Sequence, residues 1–442
     1  RFRKLSRQEI TGYARKAWRQ SLQLVELTWL FFELHLLKIV LIVAFSLSVN
    51  SVNFLHLLYV VLSVFTVKAH TTEKHNSVIH NRLIRITRVM SLFSAIMLIL
   101  TMIYQVKYIK EENFQSECPD LGPIDPATPQ MDMNNAQWFG MRKAGSGQTL
   151  SDLLRPYLVY IIIVTVHAVT ILRQTIHRIR QGKSPKTPSF MFPEVTRADA
   201  DKNIRSMIMY LFNYGHYKFG VEISLVALIV VIGNRMDVLS IFYAAWLAVM
   251  FHMTRAGLER VWKWLTWFIV IGIPIQYILF VGLPPLACVQ YPWVIERLNH
   301  FRIWAMLPEN TAEFRSVANK MVSDFVLLML LCRQTVVFRL EHSPPNGFGG
   351  GSNRPVLEDF KKLDEGTFQN PTPDFITKIR NWLDVLKRFL FLVFFWLTLA
   401  VVFLSGSSRV NLFSIGYLIG AFFFLWQGTD FYLHSIEYIL KR

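Results

Sequence analysis

The feature that most constrains this chain is a series of ten apolar stretches, each long enough to form most or all of a membrane-crossing helix. They cover about residues 29–49, 52–67, 89–106, 156–172, 219–232, 238–253, 264–283, 322–340, 389–404 and 412–427. The hydrocarbon layer of a bilayer is about 30 Å thick, which about 20 helical residues cross. Lipid offers no partners to backbone N–H and C=O groups, so helices are the simplest way to satisfy them. The sequence therefore predicts an all-α, polytopic membrane protein.

Composition and charge agree with that class. Apolar residues make up 52% of the 442 residues and charged residues only 17%, with a mean hydropathy of +0.33. A soluble globule of this size does not hide so much hydrocarbon. The formal net charge of +17 lies mainly in the loops between apolar stretches, where anionic lipid headgroups are the natural partner. We expect membrane lipids, with anionic lipids at the inner leaflet, and no nucleic acid.

A short turn motif occurs three times, each time between two apolar stretches. It combines a small residue, an Asn or Asp three positions later and a Tyr six positions after that. Asn53, Asp237 and Asn411 hold the Asx position, where a side-chain oxygen can accept from the free amides that open a helix. We call these segments the signature turns, and each predicts the start of a return helix within one residue of its Asx. Their sequences begin at Asn50, Asn234 and Ser408, at nearly equal intervals.

Regular spacing indicates a repeated unit of four spans. Four crossings return the chain to the same side, so successive units share one orientation as tandem parallel four-helix transmembrane units. We predict a first unit over 1–195, a second over 196–345, a flexible cytoplasmic linker over 346–373 and the first hairpin of a third unit over 374–442. The basic loops are expected to be cytoplasmic and the signature turns external.

Three segments have the pattern of interfacial amphipathic helices, one before each unit. They lie within residues 1–24, near 204–212 and at 374–388, and the last is expected to lie nearly perpendicular to the span after it. Apolar residues recur at helical spacing among basic ones. Our candidates for contact with the membrane interface are Trp18, Phe212, Trp382, Arg178, Arg180, Lys183, Lys378, Arg380, Lys387 and Arg388.

Other polar residues are assigned structural rather than chemical roles. Glu33, His35 and Lys38 lie close enough to a span's end to snorkel to the interface. Glu222 and Asp324 are expected to cap helix ends. The histidines at 70, 75 and 80 are spaced by five residues, which spreads their rings around a helix, and no thiol or carboxylate completes a site. No metal, cofactor or catalytic residue is predicted.

The three cysteines match no zinc or redox spacing. Cys118 and Cys288 occupy equivalent outer loops, where an oxidising environment permits a disulfide. Each could equally be free or pair with a cysteine outside this chain. Because the chain begins at Arg1 and ends directly after an apolar hairpin, we also expect a piece of a longer protein.

Several loop and helix-start motifs resemble the Piezo family of mechanosensitive channels. They are Trp138-Phe139-Gly140-Met141-Arg142-Lys143, Tyr217-Lys218-Phe219-Gly220-Val221-Glu222, Leu283-Pro284-Pro285-Leu286-Ala287-Cys288 with Tyr291-Pro292-Trp293, and Ser323-Asp324-Phe325. These motifs are not products of apolar composition, and the similarity extends over essentially the whole chain.

The resemblance implies a blade segment of a homotrimeric, mechanically gated, nonselective cation channel of the plasma membrane. The family's pore helices, extracellular cap, anchor and intracellular beam match nothing here, so no pore residue is assigned. The rest of the channel is then an expected partner. The alternatives are a polytopic membrane enzyme, which should gather His, Asp or Glu at one membrane depth, and a transporter, which should show broken helices in matched positions.

Overall fold

A computed structural model describes residues 7–72, 77–115, 134–145, 149–289, 291, 293, 298–307, 320–342, 348–353, 379–408 and 411–427. This part of the chain is helical and contains no β-strand. Its helices are α1 (Arg7–Asn50), α2 (Leu57–Thr72), α3 (Ser77–Tyr104), α4 (Asn135–Phe139), α5 (Leu150–Arg180), α6 (Ile204–Arg235), α7 (Val238–His252), α8 (Arg255–Val281), α9 (Asn299–Ala305), α10 (Lys320–Glu341), α11 (Trp382–Ser407) and α12 (Leu412–Gln427). The all-α, polytopic class predicted from the sequence is confirmed.

All ten predicted spans are helices, but they are not equally long. Seven of the described helices are long and apolar enough to cross a membrane. The other three, α2, α7 and α12, have 15 or 16 residues and reach only about 22–24 Å at 1.5 Å per residue. Each short helix is the one that follows a signature turn. The return helix of each hairpin is therefore the short one, which a bilayer accommodates by local thinning or by snorkelling side chains.

The signature turns share one capping bond. The side-chain oxygen of Asn53 accepts from the His56 amide at 2.8 Å, that of Asp237 from Ser240 at 3.2 Å and that of Asn411 from Ser414 at 2.8 Å. Asp237 and Asn411 directly precede α7 and α12, as predicted. The prediction is wrong for the first turn, because α2 begins only at Leu57. Residues 54–56 first form a tighter turn closed by i→i+3 bonds.

Two of the three predicted interfacial helices are not separate elements. The segment before the first span is the beginning of α1, which runs unbroken for 44 residues. The described part of the third segment is likewise the first two turns of α11 rather than a helix perpendicular to it. Neither helix has a glycine or proline at the expected bend, so its hydrogen-bond ladder continues. Residues 374–378, including Lys378, lie outside the described residues.

The second segment fits the prediction better. Helix α6 contains one residue with non-helical backbone angles, Phe219 (φ −114°, ψ 16°). This kink lies where the amphipathic stretch was expected to give way to the fifth span. The amphipathic stretch and the fifth span are thus two parts of one helix, separated by a kink at Phe219.

The described chain forms two compact units. The first contains residues 1–193 and 212–362, and the second contains residues 194–211 and 363–442. In the first unit α1 packs along α5 and α2, α3 packs along α5, and α8 packs along α10 and α2. Helices α1 and α2 contribute to two cores. One core joins them to α3 and α5, and the other joins them to α6, α7, α8 and α10.

The second unit is centred on the antiparallel pair α11 and α12. Much of this pair's apolar surface is exposed, with Phe394, Leu404 and Phe413 among the open side chains. A membrane-spanning hairpin exposes such surface to lipid tails. The four-part division predicted from the sequence, at 195, 345 and 373, stays a prediction.

Candidate functional site: polar contacts between the membrane helices

The first signature turn is attached to α8 by one tyrosine. The Tyr277 hydroxyl is buried, lies 3.0 Å from the Ser48 carbonyl oxygen and accepts from the Asn53 amide at 3.3 Å. Next to it, the His56 ring meets the Tyr157 hydroxyl at 2.7 Å. Buried polar groups cost free energy unless they are paired. These bonds therefore fix the turn to helices that follow it by 100 to 230 residues.

The second signature turn is built around a fully buried arginine. Arg235 forms ion pairs with Asp237 of its own turn and with Asp324 at the start of α10. Its guanidinium also donates to the Gln276 side chain at 3.0 Å, and Lys320 donates to its carbonyl oxygen at 2.6 Å. Arginine suits this place because its planar fork has five donors. Asp324 was expected to cap a helix end; the structure pairs it with a buried cation.

The two turns lie at the same level of α8. Gln276 bonds the second turn, and its neighbour Tyr277 bonds the first. A common level along one helix is what tandem parallel units require. This supports the repeat predicted from the sequence for the first two units.

A second arginine clamp lies about the middle of α1, near the start of the first predicted span. Arg178 donates to both carboxylate oxygens of Glu33 at 2.7 Å, and Thr187 donates to the same group at 3.1 Å. The Glu33 side chain is only 1% exposed. Both residues were predicted to face the membrane interface, and the structure pairs them with each other; their place at the interface stays a prediction. The two charges satisfy one another between α1 and α5, where a lone carboxylate would be costly.

A third clamp joins α8, α10 and the loop after α10. Arg255 pairs with Glu341, whose carboxylate also accepts from Asn353 at 3.0 Å. Asn353 in turn donates to the Tyr217 carbonyl oxygen and accepts from Lys218, both at 2.8 Å. Residues 348–353 belong to the stretch predicted to be a flexible linker, yet they pack on α6. Phe348 contacts the rings of Phe190, Tyr214 and Tyr217.

The second compact unit has its own ion pair. Lys387 in α11 donates to Asp201 at 2.6 Å, and Arg197 also donates to Asp201 at 3.0 Å. Burial raises the pKa of Asp201, but the hydrogen bonds and charges of Lys387 and Arg197 outweigh it, so the net shift is downward. Lys387 was predicted to face lipid headgroups. In the structure, the Lys387 ammonium binds Asp201, and this ion pair joins the start of α11 to the loop before α6.

The remaining interface candidates are exposed. Phe212 is 62%, Trp18 66% and Trp382 81% accessible, and Arg180, Lys183, Arg380 and Arg388 are also exposed. Membrane contact by these residues stays a prediction. The side chains of His70, His75 and His80 lie outside the described part of the chain.

Cysteine chemistry differs among the three positions. Cys288 is disulfide-bonded, Cys332 is a buried thiol outside any disulfide, and Cys118 lies outside the described residues. Two cysteines remain once Cys332 is set aside, so we expect Cys118 to be the partner of Cys288.

Peptide mapping of the non-reduced chain by mass spectrometry should recover one linked peptide pair containing residues 118 and 288, lost on reduction. Cys332 should be alkylated only after unfolding, which serves as the control. Recovery of unlinked Cys118 from the folded chain would contradict the pairing.

Sequence reasoning missed the clamps for an identifiable reason. Arg178, Arg180 and Lys183 look alike in a basic loop, and only the fold brings Glu33 to the first of them. One signal was available, because an ionisable residue inside a span calls for a partner within the bundle. Glu33 and Asp324 both fit that rule.

Comparison with known proteins agrees with the loop motifs. The family model described as Piezo TM25-28 matches residues 363–442. The chain is 40% identical over 419 residues to the Piezo-type mechanosensitive ion channel component of Drosophila melanogaster, which is 94% of this chain and 16% of that protein. It is 29% identical over 413 residues to Piezo-type mechanosensitive ion channel component 1 of Mus musculus, covering 90% of this chain and 15% of that protein.

The chain thus spans about one sixth of the length of the curated relatives it matches. The resemblance inferred from the loop motifs is confirmed. Over nearly its whole length, this chain belongs to the Piezo family.

Proposed function

We propose that this chain is a segment of the membrane-embedded blade of a mechanically gated, nonselective cation channel. The observation that carries the proposal is the 40% identity, over 94% of this chain, to a protein named as a mechanosensitive ion channel component. In the same proposal the parent channel is a homotrimer of the plasma membrane, and the rest of that channel is this segment's partner. The enzyme and transporter alternatives have no comparable observation in their favour.

The packing of the first unit supports a mechanical role. A channel responds to membrane tension when its closed and open conformations occupy different membrane areas. A segment can shift the equilibrium between these two conformations only if its own free energy differs between them. A loosely packed arm would dissipate a displacement within itself. Here the two cores share α1 and α2, and Tyr277 of α8 bonds the first signature turn. Such a body can transmit a displacement along its length.

The proposal is tested in a full-length relative. The aligned segment of the Drosophila protein is replaced by this chain, and currents are recorded under stepped membrane pressure in cells lacking other stretch-activated channels. We expect stretch-activated cation currents from the chimaera. Absence of current despite normal surface abundance would contradict the proposed function.

The same chimaera tests the coupling within the arm. Tyr277→Phe removes one hydroxyl that bonds Ser48 and Asn53, so the pressure for half-maximal activation should change while unitary conductance and ion selectivity do not. Tyr417→Phe is the matched control, because Tyr417 is 54% exposed, and it should leave the pressure response unchanged. An unaltered pressure response in Tyr277→Phe would remove this contact from the mechanism.

A further inference from the structure

The loop after α5 holds a threonine between two prolines. It reads Ser184-Pro185-Lys186-Thr187-Pro188, and residues 183–190 form neither helix nor strand. A residue that precedes proline is restricted towards extended geometry, so Thr187 favours an extended backbone. Proline-directed protein kinases accept an extended segment with proline directly after the acceptor hydroxyl, and one class also selects proline two positions before it. Thr187 meets both conditions, whereas Ser184 meets only the first.

The hydroxyl of Thr187 belongs to the clamp between α1 and α5. It donates to the Glu33 carboxylate at 3.1 Å, and Arg178 donates to both oxygens of the same carboxylate at 2.7 Å. The Arg178 guanidinium also donates to the Pro185 carbonyl oxygen at 3.2 Å. The loop is thus bound to the clamp on both sides of Lys186. A covalent change at the Thr187 hydroxyl therefore acts directly on a buried ion pair.

The clamp has an unused donor for a further anion. The Nε atom of Arg178 is buried and has no hydrogen-bond partner among the residues that the structure describes. Arginine binds phosphate through two parallel N–H groups, and a phosphate on Thr187 can therefore compete with Glu33 for this guanidinium. Access is from the side of the loop, because Thr187 is half-buried while Pro185 and Lys186 beside it are exposed. The hydroxyl becomes available once its bond to Glu33 opens.

We propose that Thr187 is a phosphorylation site for a proline-directed kinase and that its phosphorylation opens the clamp between α1 and α5. The kinase transfers the γ-phosphoryl group of ATP to the Thr187 oxygen. A P–O bond forms there, the bond from the γ-phosphorus to the bridging oxygen breaks, the hydroxyl proton passes to the kinase's catalytic carboxylate, and ADP leaves. Phosphothreonine has no hydroxyl to donate to Glu33 and adds a charge of about −1.5 to −2 beside it. The loop is one of the basic segments expected in the cytoplasm, where ATP is present.

The first test asks whether the folded chain is a substrate. The purified 442-residue chain in nonionic detergent is incubated with ATP and a purified mitogen-activated protein kinase, and mass spectrometry of its peptides locates the phosphate. We expect phosphate on Thr187, incorporated faster than on Ser184. Pro188→Ala is the matched variant, because it should abolish modification of Thr187 and leave that of Ser184 unchanged. Absence of phosphate on Thr187, while the kinase modifies a standard substrate in the same detergent, would overturn the proposed site.

The second test asks whether the phosphate opens the clamp, by unfolding the chain with SDS and following its helical circular dichroism. The phosphorylated chain should unfold at a lower SDS concentration than the unmodified one. Thr187→Val removes only the hydroxyl and should cause a smaller shift. In Glu33→Gln, phosphorylation should no longer lower the midpoint, because the phosphate then supplies the anion that Arg178 lacks. An equal midpoint with and without phosphate, or the same phosphate-induced shift in Glu33→Gln, would overturn the opening of the clamp.

Discussion

Replacing Arg235 by methionine is expected to lower the free energy of unfolding of this chain by about 3–5 kcal/mol. The guanidinium is fully buried and pairs with Asp237 and Asp324, which are 2% and 0% exposed. Methionine fills a similar volume but leaves Asp324 without its cation and frees the Gln276 amide oxygen. An uncompensated buried carboxylate must either remain charged in an apolar place or take up a proton, and both cost free energy.

The measurement is equilibrium unfolding of the purified chain in detergent micelles with increasing SDS, followed by helical circular dichroism. Arg260→Met is the control, because Arg260 is exposed on α8, and its effect should stay within about 0.5 kcal/mol. Pairing Arg235→Met with Asp324→Leu removes the cation and one of its two carboxylates, so it should recover part of the loss, while the buried Asp237 stays without its cation. A loss below about 1 kcal/mol for the single variant would show that the ion pair does not form as described.

The second prediction with a large effect compares the stability of variants at two arginines, Arg178 and Arg180, which are two residues apart. Arg178→Met should lower the free energy of unfolding by about 3–5 kcal/mol, because it strands the buried Glu33 carboxylate. Arg180→Met, on the exposed face of the same helix turn, should change it by no more than about 0.5 kcal/mol. The same SDS titration measures both, and the two variants are matched in chemistry and in position along α5.

Glu33→Gln combined with Arg178→Met supplies the complementary test. It removes both charges, so the unfolding free energy should return towards that of the unaltered chain. Equal effects of Arg178→Met and Arg180→Met would mean that both arginines serve the membrane surface, as the basic loop alone had indicated. If the stability loss is as expected, the last turn of α5 contributes an arginine to the interior of the bundle.

Some features of this protein follow from local sequence and were predictable. The ten apolar spans are helical because lipid leaves a backbone few ways to satisfy its polar groups. The capping bonds of Asn53, Asp237 and Asn411 follow from short-range geometry that three or four residues contain. The start of α2 did not follow, since whether residues 54–56 join the helix depends on bonds from Asn53 to Ser51 and Tyr277.

Amphipathic periodicity was a weaker guide. The same spacing of apolar residues describes a helix lying on a membrane and the end of a long helix that leaves it. In α6 the direction changes at Phe219, whereas α1 and α11 run on. In α11, Lys387 binds Asp201, which is 186 residues away in the sequence. Periodicity contains no information about such a partner.

The sequence by itself determined the class of this protein, its ten predicted spans, its caps and its family, because each rests on composition or on contiguous residues. Only the tertiary structure decided which charges are buried and what they bind. Glu33 meets Arg178 across 145 residues, and Arg235 meets Asp324 across 89. In a low-dielectric interior such contacts set the electrostatic free energy of each charge. They join residues that are far apart in the sequence, so local sequence patterns do not predict them.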